Sequence, residues 1–390
     1  TIAAAAVTTS AFAATATVSA DGKGDYLVSP AYYATADGWS TNVRVVNTNT
    51  TTAVVAKVVI REYATSKELL DFPIYLSPGD VWTADLINDG SGTVTVNSTD
   101  DSSPEVPMSP VLNDNNPLVG TAYGYIEVLA VASKAAVAID GTWTQFEQLD
   151  KADIKADFNA NGTVWDAPIQ SLFGQEVITA TTAGAEKSMT LGSTAFVIGD
   201  NAGAAWRTVG TDSIFATDTQ LDYVYGTGTE ANIRTAIDTL GVHVINYVAD
   251  AGETQLLLTQ VQKHVNPDAD TTTVVPYYPS TAADLAERGT VSRFFYMARA
   301  WDESENTFTP DASIYSGTTT FTTANPCDTE ICYIYTSDAN NYAAGWVDYT
   351  LGTASNGAGN LAVPTISTVM TGVKVNGRGI TNILPAAITQ

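Results

Sequence analysis

Residues 53–63, AVVAKVVIREY, form a long apolar run broken only by Lys57, Arg61 and Glu62. This run reads as one long strand. Its neighbours repeat the pattern. Asn42-Val43-Arg44-Val45-Val46-Asn47 precedes it, separated by the polar turn Thr48 to Thr52. Leu69 to Leu76 follows it, then a Ser77-Pro78-Gly79-Asp80 turn and Val81-Trp82-Thr83-Ala84-Asp85-Leu86. Short strands at this spacing, with turn chemistry between them, predict an antiparallel β-sandwich, Ig-like or jelly-roll-like.

The pattern extends outward. Tyr26 to Val28 and Ala31 to Tyr33 flank Pro30, and Asn88 to Gly92 is a turn. Thr99 to Pro117, rich in Asp, Ser, Pro and Asn, reads as a long loop. Tyr123 to Leu129 and Ala135 to Trp143 return to strand. Glu147 to Asp157 is a helix candidate, with Leu149, Ile154 and Phe158 as its apolar face. Further helices are expected over Glu230 to Leu240 and Ala282 to Arg288. Val242 to Val248, Thr290 to Trp301, Ile331 to Tyr335, Ala344 to Leu351 and Ile366 to Val375 read as strands. Gln255 to Val265 fits either helix or strand. The chain therefore reads as mainly β with a few short helices. The expected division is an arm over residues 1–20, a sandwich over 21–150, an irregular β-rich middle over 151–275 and a β-rich end over 276–390. The last two could be one domain.

Composition narrows the partners. The 390 residues carry 17 basic and 42 acidic side chains, a net charge of −25. No basic stripe exists to neutralise phosphates, so nucleic acid is not an expected partner. Anionic membranes are excluded on the same ground. An acidic surface crowded with Thr, Ala, Ser, Gly and Asn suits an exported, extracellular or cell-surface protein. A hydrophobic content of 45 % supplies real cores. Past the amino end, nothing approaches the roughly 18 consecutive apolar residues of a transmembrane helix.

Two readings fit the amino end. TIAAAAVTTSAFAA, Thr1 to Ala14, has the apolar character of a secretory signal, with Ala11-Phe12-Ala13 as a small-x-small cleavage site. Retained in the mature protein, it is an uncharged arm able to add as a strand to another copy's open sheet edge. Ile2, Val7, Phe12 and Val18 would carry that contact.

The two cysteines, Cys327 and Cys332, have four residues between them and could close a small disulfide loop. Such a loop contributes roughly 2 kcal/mol and pins a turn. Free thiols or half a metal site are the alternatives, with only His243 and His264 available as histidine ligands.

Asp157, Asn159, Asn161 and Thr163 place oxygen ligands as at the start of a calcium loop, with Gly162 at the sharp turn. The twelfth place holds Pro168 in place of an acid, and Asp166 stands two places early. An ordinary Asn/Gly turn is the alternative, so calcium is a candidate cofactor only. Glycosylation sequons begin at Asn49, Asn97 and Asn161, each in an expected turn or loop.

The sequence lacks a Gly-x-Ser-x-Gly elbow, a phosphate-cradling Gly loop and a His-Glu-x-x-His motif. His243 reads as a strand residue, and the chain reads as no enzyme. Two carboxylates among the 42 acids could still serve a glycosidase. The 7 Trp, 18 Tyr and 11 Phe either fill cores and interfaces or offer platforms for sugars. Trp143 and Trp301 are the candidates for a carbohydrate groove.

LLDFPIYLSPGDVWTADL over Leu69 to Leu86, with Gly38 to Thr48 before it and Tyr123 to Val128 after it, resembles a group of exported, uncharacterised bacterial proteins. The resemblance covers the first third of the chain, with a weaker echo over Val369 to Asn382. It implies a secreted β-sandwich surface protein and carries over no site residues.

These readings converge on a structural subunit of an extracellular filament, pilus-like fibre or surface layer, its partners copies of itself. A carbohydrate-binding or adhesive surface protein is the alternative, with glycan as partner. A secreted hydrolase is the third.

Overall fold

The computed structural model describes residues 17–63, 68–112, 121–141, 150–161, 164–182 and 185–197, and a set of strands between residues 242 and 389. In the first block the strands are β1 (Thr17–Val18), β2 (Tyr26–Tyr33), β3 (Trp39–Asn47), β4 (Thr52–Glu62), β5 (Glu68–Leu76), β6 (Val81–Asn88), β7 (Val94–Asn97), β8 (Tyr123–Ala135), β9 (Leu172–Thr182), β10 (Ala185–Gly192) and β11 (Thr194–Val197). Two helices, α1 (Ala136–Asp140) and α2 (Lys151–Asn161), separate β8 from β9. One sheet runs β1-β11-β2-β8-β4-β5 and the other β10-β9-β3-β6-β7. Every described pairing in them is antiparallel, giving the sandwich expected from the sequence.

Side-chain periodicity explains the packing. In β6, Trp82, Ala84 and Leu86 point inward while Val81, Asp85 and Ile87 face out, the alternation of a strand with one wet face. β4 shows no such alternation: every residue from Ala53 to Glu62 is buried. Val54, Ala56, Val58 and Ile60 enter the core between the sheets, beside Val43, Val45, Trp82 and Ile126. On the other face, Ala53 and Val55 pack with Ile154 and Trp165, beneath the helices. The apolar run over residues 53–60 is therefore a strand covered on both sides.

A second block holds β12 (Val242–Val248), β13 (Thr254–Gln260), β14 (Tyr296–Asp302), β15 (Thr307–Phe308), β16 (Ile331–Thr336), β17 (Ala344–Leu351), β18 (Ala354–Ser355), β19 (Asn360–Leu361), β20 (Thr365–Val375), β21 (Arg378–Pro385) and β22 (Ala387–Thr389). Its sheets run β15-β14-β17-β12-β22 and β16-β13-β20-β21, with a separate β18-β19 pair. The blocks touch where the Thr259 hydroxyl of β13 donates to the Pro30 carbonyl of β2 at 2.6 Å.

Three expectations shift. The sandwich does not end at residue 150, because β9 pairs with β3 and β11 with β2. The strands of the expected middle, β12 and β13, pair with β17, β16 and β20, so middle and end share sheets. The strand expected over Ala135 to Trp143 is replaced over its described part: β8 stops at Ala135 and α1 follows, closed by Gly141 at φ 73° with its amide on the Val137 carbonyl. Helix α2 starts at Lys151, where the Asp150 carboxylate accepts the Ala152 amide at 2.9 Å as an N-cap does. The helices expected over 230–240 and 282–288 lie outside the described residues. Among the described residues no helix is long and apolar enough to cross a membrane.

Candidate functional site

Three features of the first sandwich bear on function: a sheet edge, a row of aromatic rings and a set of buried charges. The edge comes first because the leading segment reaches it. β1 is one of the two edge strands of the six-stranded sheet, with Thr17 opposite Val197 and Val18 opposite Phe196. The Ser19 amide adds a bond to the Ala195 carbonyl at 2.8 Å. Val18, expected in a neighbour's sheet, thus pairs here with β11 of its own chain. Ile2, Val7 and Phe12 lie outside the described residues.

Beside this edge, backbones approach closely. A Cβ on Gly24 would stand 2.4 Å from the Phe196 carbonyl oxygen, so only glycine fits. The Asp25 amide donates to that same oxygen at 2.9 Å. The Asp25 carboxylate accepts the amide of Gln170 at 2.7 Å, holding Gln170 at φ 55° in the left-handed region.

The aromatic row crosses one end of the sandwich. Tyr33, at the end of β2, stands opposite Tyr123, at the start of β8. Their ring centroids are 6.1 Å apart; Tyr63 lies 5.2 Å from Tyr123 and Trp39 lies 6.0 Å from Tyr33. Local chemistry fixes the row. The chain turns from β2 into β3, and so from one sheet to the other, through Thr35 to Gly38, where Gly38 takes φ 101°. Thr41 locks the corner, its hydroxyl donating to the Tyr33 carbonyl and accepting the Tyr33 amide, both at 2.8 Å. Tyr123 is 40 % exposed, while Tyr33, Trp39 and Tyr63 are half-buried. Burial raises the Tyr63 hydroxyl pKa above its ordinary value, and negative charge on Glu62 and Tyr123 adds to the shift. The two Tyr–Tyr contacts are edge-on, at 65° and 78° between planes, so these rings pack on one another as well as on solvent.

The buried charges tie strands together. Arg61 of β4 donates through Nε to Glu127 of β8, and the Tyr26 hydroxyl of β2 reaches the same carboxylate at 2.5 Å. Arg61 and Glu127 are 0 % and 2 % exposed. Lys57 of β4 pairs with Asp71 of β5, both buried. Lys151, on α2, pairs with Asp80 and donates to Ser102 at 2.9 Å. Each of these groups would be costly if left alone in the interior.

The calcium loop is corrected by α2. Asp157, Asn159 and Asn161 lie on a continuous helix, where residues two apart project roughly 200° from each other. Asn159 therefore cannot join Asp157 on one ion. The Asp157 carboxylate is taken by Lys134 at 2.6 Å and Trp165 Nε1 at 2.8 Å. Thr163 lies outside the described residues, and the backbone of Asp166 bonds to that of Ser133. Helix wins because Ile154 and Phe158 pack against Tyr75 and Trp165. Among the described residues no group of three His, Cys, Asp or Glu is placed to hold a metal.

The sequons also move. Asn49 does sit in a turn, its Oδ1 accepting the Thr51 amide at 2.9 Å. Asn97 instead ends strand β7, and Asn161 ends helix α2. His243 lies in strand β12, opposite Tyr349 and Ile388. Trp301 of β14 stands opposite Trp346 in β17. Trp143, His264 and Cys327 lie outside the described residues, and with Cys327 the disulfide; Cys332 is in β16. The aromatic row escaped the sequence reading because Tyr33, Tyr63 and Tyr123 are distant in the chain, and only the β2–β8 and β4–β8 pairings bring them together. Comparison with known proteins found no matching family model, no matching curated protein and no matching solved structure.

Proposed function

We propose that this chain is a structural subunit of an extracellular assembly, such as a filament, pilus-like fibre or surface layer, built by strand exchange between copies. One observation carries the reading. One edge strand of the six-stranded sheet, β1, is two residues long and is continuous with the apolar leading segment. Pairing of Thr17 and Val18 with Val197 and Phe196 satisfies the same groups whether β11 belongs to the same copy or the next. Backbone hydrogen bonds would supply affinity, and the alternating small and apolar side chains of the arm would supply fit. The resemblance to exported bacterial β-proteins and the acidic surface agree with an extracellular setting.

A Thr17→Cys, Val197→Cys double variant tests this under oxidising conditions. Covalent ladders on a denaturing gel, together with loss of polymers on deleting residues 1–20, support exchange between copies. Closed monomers at every concentration overturn it.

The aromatic row favours a second reading, an adhesive module whose ligand is a glycan. Tyr123, the most exposed ring, would stack on a sugar face. Glycan binding that disappears in Tyr123→Ala, with the fold kept, supports that reading. An empty glycan array with intact polymers favours the first.

A further inference from the structure

We propose that Lys57 and Asp71 are the two halves of an intramolecular amide cross-link joining β4 to β5. The register places them for it. Lys57 stands opposite Pro73, and Val59 stands opposite Asp71, so Lys57 and Asp71 are diagonal neighbours across one antiparallel pair. Successive odd-numbered residues of β4 share a face, and both side chains meet there as an ion pair. Val59 is also opposite Glu127 on the other side, in β8. Of the two diagonal carboxyls, Glu127 is held by Arg61 and Tyr26, and Asp71 is the one that meets Lys57.

The surroundings favour condensation over a lasting ion pair. The Lys57 and Asp71 side chains are 8 % and 2 % exposed. Val59, Leu129 and Val28 on the same sheet are fully buried. Bond formation requires one proton to pass along the existing contact, giving amine and carboxylic acid, and the contact supplies that path. The neutral Nζ lone pair then adds to the Asp71 Cγ. The nitrogen passes a proton to the hydroxyl oxygen of the same tetrahedral intermediate. That hydroxyl leaves as water and the carbonyl re-forms. One C–N bond forms, one C–O bond breaks, and no oxidant or cofactor is consumed. Fixed contact between the reacting groups replaces the encounter that makes the same reaction negligible in water.

The cross-link does not depend on strand exchange, and its test is separate. The intact, reduced and denatured full chain should weigh one water less than its sequence, and a proteolytic digest should contain a branched peptide joining Lys57 to Asp71. The full sequence mass, with the two peptides recovered separately, overturns the proposal. Lys57→Arg keeps the charge pair but cannot condense in this way, so it should show the full mass while remaining folded. Water loss persisting in Lys57→Arg also overturns it.

Discussion

Ser29 of β2 and Glu176 of β9 meet between the two sheets, the hydroxyl donating to Oε1 of the carboxyl. Ser193 stands 2.8 Å from the Ser29 oxygen and 3.4 Å from Oε1. Oε2 is buried with no hydrogen-bond partner among the described residues. Burial raises this carboxyl well above the usual range, and the Ser193 hydroxyl only partly opposes the shift. Glu176 is thus a core carboxyl whose protonated form is favoured by burial, shared by strands of opposite sheets.

That arrangement sets a pH dependence. In the unfolded chain Glu176 titrates near an ordinary value of about 4.3. Its folded value is higher, so between the two the folded state holds a proton that the unfolded state has released. The stabilising effect of this group is complete below the unfolded value and is lost as pH rises through the folded one. Each unit of separation is worth about 1.4 kcal/mol. Glu176→Gln should therefore melt higher than the parent at neutral and alkaline pH, the gain shrinking in acid. Thermal unfolding from pH 4 to pH 9, on the order of the window implied, checks this; a gain that grows toward acid contradicts the assignment.

Gly124 should tolerate no side chain. A Cβ there would fall 1.7 Å from the Arg61 carbonyl oxygen and 2.7 Å from the Tyr32 ring. Gly124→Ala is expected to cost about 3 kcal/mol or more, because β4 and β8 must separate along the aromatic row. Gly192→Ala is the control, since a Cβ there meets nothing within 4 Å. Denaturant midpoints of the two variants should differ clearly.

Asp157 should behave as a structural anion. Asp157→Ala leaves Lys134 and Trp165 without their shared acceptor, a loss of roughly 2–3 kcal/mol for a charged hydrogen-bond partner in a half-buried site. Calcium should leave the melting temperature of the parent unchanged. A calcium-dependent rise, absent in Asp157→Ala, would restore the ion-binding loop.

The fold was legible where chemistry is local. β12 and β17 begin and end where the apolar runs Val242 to Val248 and Ala344 to Leu351 do. Turn residues marked the borders of β5 and β6 equally well. What the sequence hid is partnership between distant segments. Nothing in residues 172–180 says that they lie beside β3 rather than start a new domain. The Asp-Asn-Asn spacing at 157–161 suggested a loop, but Ile154 and Phe158 gain more by packing under a helix. Lys57 and Arg61 interrupt an apolar strand, and both are buried and paired. Pairing with an acid in a neighbouring strand makes that burial tolerable, and those acids lie far along the chain.

The order in which the sheet is completed constrains how this chain can be made. β2 cannot receive its outer neighbour until residues 194–197 exist, and Ser29 waits for Ser193, 164 positions later. A polypeptide emerging amino end first, from a ribosome or through a narrow pore, must carry this half-finished layer with its border unzipped until residue 197 is made. Contacts of such long range slow maturation and lengthen the time in which sticky borders are uncovered. A chaperone or a rapid handover would be most valuable before β11 arrives.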